Sequence, residues 1–130
     1  MVFDTSYSDK EITRKINASV GPAFSFKERW KMGGIGSPRM VIDAISVEYE
    51  HYLNAAHYQS HANLELRPQG ILIHFRHKLQ AYTWVMPYRD LQIDWNNSLT
   101  LTCQGKYIRF KPPIKGAFVE RIQNHLKDNL

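Results

Sequence analysis

The chain has 130 residues, 43% of them hydrophobic and 22% charged, and a formal charge of +5. That length suits a single domain, 1–130, able to bury a core without metals or disulfides, and the composition excludes disorder and fibrous repeats. Apolar runs such as Ile71-Leu72-Ile73 fall far short of the roughly 20 residues that cross a bilayer, so no transmembrane segment is expected. The one cysteine, Cys103, cannot pair within the chain, and no basic region followed by an apolar run opens the sequence. Both features lead to an expected cytoplasmic location.

In chain order, Ser8-Asp9-Lys10-Glu11 reads as a capping box and predicts a helix from Asp9 to Ser19, stopped by Gly21-Pro22. Ile12 and Ile16 make only a thin apolar stripe. This N-terminal extension, 1–23, is therefore expected to rest on a surface rather than build a core. A β-rich body over 24–111 follows. Phe24, Phe26 and Trp30 make residues 24–32 read as a strand, and Gly33-Gly34-Ile35-Gly36-Ser37-Pro38 as a loop. Between Met40 and Ala56 two periods compete. The β-branched residues near Val41 to Val47 favour a strand first, and Tyr52 to Ala56 a helix after it.

From Ala62 the alternation sharpens. Leu64 and Leu66, then Ile71, Ile73 and Phe75, then Tyr82, Trp84 and Met86 form three strands. Leu91, Ile93 and Trp95, then Leu99, Leu101 and Cys103, then Ile108 and Phe110 form three more. Pro68-Gln69-Gly70, His77-Lys78-Leu79-Gln80, Asn96-Asn97 and Gln104-Gly105 supply turns. One face is apolar throughout, as an antiparallel meander covered on one side requires. Pro112 and Pro113 suit the first turn of a helix over 113–128, in which Ile114, Phe118, Ile122 and Leu126 repeat every four residues. The fold class expected is α+β, mainly β: an antiparallel small barrel or curved sheet capped by a C-terminal helix, with an N-terminal helix.

This meander ended by one amphipathic helix resembles the pleckstrin-homology superfamily, including its bacterial and GRAM-like members. The likeness spans about Ala62 to Leu130. It is carried by Met86-Pro87-Tyr88-Arg89-Asp90-Leu91, the two hairpin strands after it, and Phe118-Val119 through Leu126. The chain also resembles short proteins of Bacteroidetes-type bacteria, which implies no particular activity. The superfamily resemblance implies a seven-stranded barrel whose remaining strand comes from 24–32 or 40–50. It also implies lipid-phosphate binding by basic residues near an early hairpin loop, for which Arg67, Arg76 and Lys78 are the nearest equivalents.

Lys31 and Arg39 flank the Gly33-Gly34-Ile35-Gly36 loop, whose backbone amides could cradle a phosphate, although no P-loop or dinucleotide spacing surrounds them. His57 and His61 share a helical face at spacing four. Tyr58 stands where a zinc protease carries Glu, and two histidines are too few for zinc, so no metal is expected. Cys103 falls on the inward phase, Gly36-Ser37-Pro38 is not a nucleophile elbow, and no cofactor motif occurs. Residues 61–130 hold the whole basic excess, ten bases against five acids, but no dense basic block. Trp30, Trp84 and Trp95 are scattered, which argues against nucleic acid. The expectation is a non-enzymatic binding or assembly module for an anionic ligand or a protein partner, with exposed strand edges that admit a homodimer. The alternative is a ligand-binding or catalytic barrel, with a pocket closed by residues 33–61 that gathers Glu48, Glu50, His57 and His61.

Overall fold

Strict alternation with one buried face dictates strands, and the computed structural model, which describes residues 1–53, 60–96 and 98–128 with side chains through 126, has them. The six expected strands are β3 (His61–Arg67), β4 (Gly70–His77), β5 (Gln80–Pro87), β6 (Leu91–Trp95), β7 (Leu99–Cys103) and β8 (Lys106–Phe110). Two more join them: β1 (Val2–Asp4) and β2 (Met40–Ile45). All pairings are antiparallel, in the order β1-β5-β4-β3-β2-β8-β7-β6. The curved sheet does not close, because β1 and β6 remain its two edges.

Strand β2 belongs to both halves of the sheet. Met40 and Val41 pair with Ala62 and His61 of β3, whereas Ile42, Ala44 and Ile45 pair with Phe110, Arg109 and Ile108 of β8. The register shifts between Ile42 and Ala44, where an irregularity of the bulge type bends a strand and increases its twist. The seventh strand of the meander thus comes from 40–45. The tail of the same expectation, a helix over Tyr52 to Ala56, lies partly outside the described residues. Before it, Val47–Tyr52 forms a 3-10 turn.

The inner face is the core. Leu64, Leu66, Ile71, Ile73, Trp84, Met86, Leu99, Leu101, Ile108 and Phe110 are almost wholly buried there. Helix α3 (Gly116–Asp128) lays Phe118 and Ile122 on this cluster, as its four-residue repeat requires. It starts later than expected. Pro112 and Pro113 lie in the connection before it, and the Lys115 carbonyl accepts from the amides of Phe118 (3.1 Å) and Val119 (3.4 Å). Cys103 is buried, as its inward phase predicts, and burial pushes its thiol up.

Helix α1 (Lys10–Val20) covers part of the opposite face. Its cap is Asp9, not Ser8: the Asp9 carboxylate accepts from the amides of Glu11 (2.8 Å) and Ile12 (3.2 Å). A charged acceptor satisfies two end amides at once and suits the positive end of the helix dipole. Ile16 and Val20 pack on Leu72 of β4 and Val85 of β5, a small second cluster outside the main core. Those two apolar residues sit out of phase with their strands because a helix shields them. Gly70 makes the approach possible, since a Cβ there would collide with Val20 and lie 2.6 Å from the Met86 carbonyl oxygen.

Residues 26–32 correct the sequence reading. They form helix α2 (Phe26–Met32), not a strand. The reason is a capping box at its start: Ser25 Oγ accepts from the Glu28 amide (3.2 Å), and the Glu28 carboxylate accepts from the Ser25 amide (3.1 Å). Gly33 ends the helix at φ 76°, a left-handed conformation that glycine adopts without strain.

Candidate anion-binding groove

The outer faces of β3 and β4, the β4–β5 hairpin and the segment before β2 enclose a groove of about 820 Å³. Outward alternation supplies its floor: Asn63 pairs with His74 across β3 and β4, and Arg76 pairs with Ala81 across β4 and β5. Arg39, Arg76 and Lys78 line it together with His61 and His74. Ala81 is small, so the space above it is left to the arginine opposite. Lys78 sits at the hairpin tip with φ 58°, a left-handed conformation uncommon for a side-chain-bearing residue. Among the described residues no carboxylate lines the groove, and none of these three cations has a carboxylate within ion-pair distance. Three unneutralised cations around one concavity create a positive potential that concentrates anions.

A hydrogen-bonded chain fixes one wall. Glu65 Oε1 lies 2.9 Å from His74 Nε2, His74 Nδ1 lies 3.1 Å from Thr83 Oγ1, and Thr83 Oγ1 lies 2.9 Å from Thr5 Oγ1. Burial pushes the Glu65 carboxyl up, but hydrogen bonds from His74 and Arg67 outweigh it and hold the carboxyl below its ordinary value. The Glu65 carboxylate therefore accepts from His74 Nε2–H, which sets the ring's orientation over the groove.

The five cations singled out in the sequence divide. Arg39, Arg76 and Lys78 meet in the groove. Arg67 does not: its side chain is only 13% exposed, donating from Nε to Glu65 (2.6 Å) and from Nη1 to Asn17 Oδ1 and the Gly21 carbonyl (3.0 Å each). Glu65, two residues before it on the same face, captures it. Lys31 stands on α2, exposed and away from the groove lining. The glycine loop next to it spends its amides on ending the helix, Gly33 N donating to the Trp30 carbonyl (3.2 Å) and Gly34 N to that of Arg29 (2.8 Å). A phosphate cradle at Gly33 and Gly34 would have to break those bonds.

His61 lines the groove, but His57 lies outside the described residues, so the pair is not described as a unit. Among the described residues no three His, Cys, Asp or Glu side chains gather as a metal site would need. Glu48 and Glu50 are exposed on the 3-10 turn and line no part of the groove. Arg109, on the outer stripe of β8, is paired with Asp43 at 2.9 Å. Sequence reasoning missed the contributions of Thr5, His74 and Thr83. The signal for two of them was His74 and Thr83 at outward positions of β4 and β5, which the pairing of His74 with Thr83 and of Arg76 with Ala81 brings to one surface. Comparison with family models, curated proteins and solved structures finds no match to this chain.

Proposed function

We propose that the protein is a non-enzymatic binding module that takes an anionic ligand in the groove of Arg39, Arg76 and Lys78. The observation that carries this reading is the convergence of those cations, from two chain segments far apart in sequence, on one concavity that no carboxylate among the described residues lines. Its volume falls in the range of small-molecule sites, about 300–1,000 Å³. The likeness to the pleckstrin-homology superfamily is supported by topology. The strands β2 to β5 and β6 to β8 form two antiparallel meanders joined where β2 pairs with β8, and a C-terminal helix packs on the inner face. In this reading Arg76 and Lys78 at the β4–β5 hairpin contact the anion, Arg39 closes the opposite side, and the Glu65–His74–Thr83 chain holds the wall rigid.

The test is Arg76→Glu with Lys78→Glu, assayed by titration with soluble inositol phosphates and by sedimentation with phosphoinositide-bearing liposomes. Loss of two charge-assisted contacts is expected to weaken binding by about tenfold or more. Binding of the soluble headgroup without the liposome would identify a free anion as ligand. Equal binding by parent and variant would sink the proposal, as would no binding by the parent.

A further inference from the structure

Helix α2 is built unlike the other two helices: no residue of it is buried. Phe26 is 82% exposed and Trp30 79%, one helical turn apart and therefore on the same side of the helix. Met32, on the other side, is the residue that packs against the core, so the aromatic side faces away from the molecule. Two large aromatic side chains next to each other in water are an unusual expense on a folded surface and mark a place of contact. Their flanks are basic. Lys27 and Lys31 lie on one side of the pair and Arg29 on the other, by the helical period of 100° per residue. The one acid of the helix, Glu28, falls on the side away from the aromatics, where its carboxylate accepts the Ser25 amide.

We infer that α2 docks flat on an anionic lipid bilayer, with Phe26 and Trp30 entering the headgroup boundary and Lys27, Arg29 and Lys31 meeting lipid phosphates and carboxylates. The charge pattern selects this occupant. A second copy of the chain packed symmetrically on the same face would set three cations against three like cations. A bilayer offers the aromatic pair an interface of matched polarity, where tryptophan settles readily, and offers the cations a sheet of negative charge. Each cation near such a surface multiplies the partition by about fivefold at low salt. The contact is superficial, since no helix among the described residues is long and apolar enough to cross a membrane. It is independent of the groove, which shares no residue with α2.

The three tryptophans make the inference testable, because Trp84 is 1% exposed and Trp95 40% against the 79% of Trp30. With Trp95→Phe as the background, emission is read on vesicles of brominated phosphatidylcholine, alone and mixed with phosphatidylserine, free of phosphoinositide. The expected result is quenching of Trp30 on the mixed vesicles only, reversed by high salt. Phe26→Ser with Trp30→Ser in the full chain should lose sedimentation with the mixed vesicles at least tenfold while its thermal unfolding midpoint stays put. Arg76→Glu with Lys78→Glu should retain the Trp30 quenching. The inference is overturned if the parent ignores phosphatidylserine vesicles, as it would if α2 serves an acidic protein instead. It is equally overturned if the Phe26/Trp30 variant sediments like the parent, or if the groove variant alone abolishes the contact.

Discussion

Helices α1 and α2 are neighbours in sequence and opposites in use. Helix α1 sinks Ile16 and Val20 against Leu72 and Val85 and is tied down at its end by Arg67, which bridges Glu65 to Asn17 and Gly21. Helix α2 is held at its two caps and by Met32, and shows its aromatics to solvent. Apolar content does not separate them. What separates them is whether the sheet offers an apolar patch in the right place: Leu72 and Val85 break the polar phase of β4 and β5 under α1, and nothing comparable waits under Phe26 and Trp30. A helix's apolar side becomes core only when something else in the chain is shaped to receive it.

The largest effect that would break the comparison is expected at Gly70. Gly70→Ala drives a methyl group toward Val20 and the Met86 carbonyl, a backbone atom that cannot rotate aside. A loss of about 3 kcal/mol in denaturant unfolding is expected. An unchanged midpoint would mean that α1 does not press on the sheet as described. Leu72→Ala should cost a similar amount, about 3 kcal/mol, and should raise hydrogen exchange in α1 while sparing α2.

Next comes Glu65→Gln, which removes the charge that anchors Arg67, the residue tying down α1, and should cost about 2 kcal/mol at neutral pH. Its pH signature is distinctive. Because the folded protein holds Glu65 below its ordinary value of 4.5, the unfolded chain takes up the proton first on acidification. The stability Glu65 supplies is complete above that value and drains away as pH falls through it toward the folded pKa. The Gln variant should therefore converge on the parent in acid, and a constant gap between the two across pH 3 to 7, a range of about four units around the ordinary carboxylate value, would contradict the assignment. The smallest effect belongs to α2: Phe26→Ser with Trp30→Ser should move stability by no more than about 0.5 kcal/mol, since neither side chain leaves a cavity.

The legibility of the chain follows the same contrast. Strands β3 to β8 could be read because a sheet with one wet face writes its period of two plainly, as Ile71, Ile73 and Phe75 against His74 and Arg76 show. Residues 24–32 deceived because Phe24, Phe26, Trp30 and Met32 all fall on even positions, which satisfies alternation as well as a helical turn. The box Ser25-x-x-Glu28 was the stronger local signal. Strand β1 is only three residues long, too short for any period to register, and it exists because the β5 edge receives it. Of the site, Arg39, Arg76 and Lys78 could be named from chemistry alone. That Arg67 would be diverted could not be judged without knowing that Asn17 and Gly21 lie above it.

Strand β2 carries a consequence for how the protein assembles during synthesis. Its first three residues find partners about twenty positions downstream, Met40 and Val41 in β3 and the Ile42 amide at the Ser60 carbonyl, whereas Ala44 and Ile45 wait for β8, more than sixty positions away. Contacts between near neighbours form early and those across long separations late. A nascent chain can therefore complete the β3–β4–β5 hairpins, groove included, while the lower stretch of β2 is still a naked edge. The junction at Ile42 and Ala44 divides what can settle on the ribosome from what must wait for the last strand to emerge.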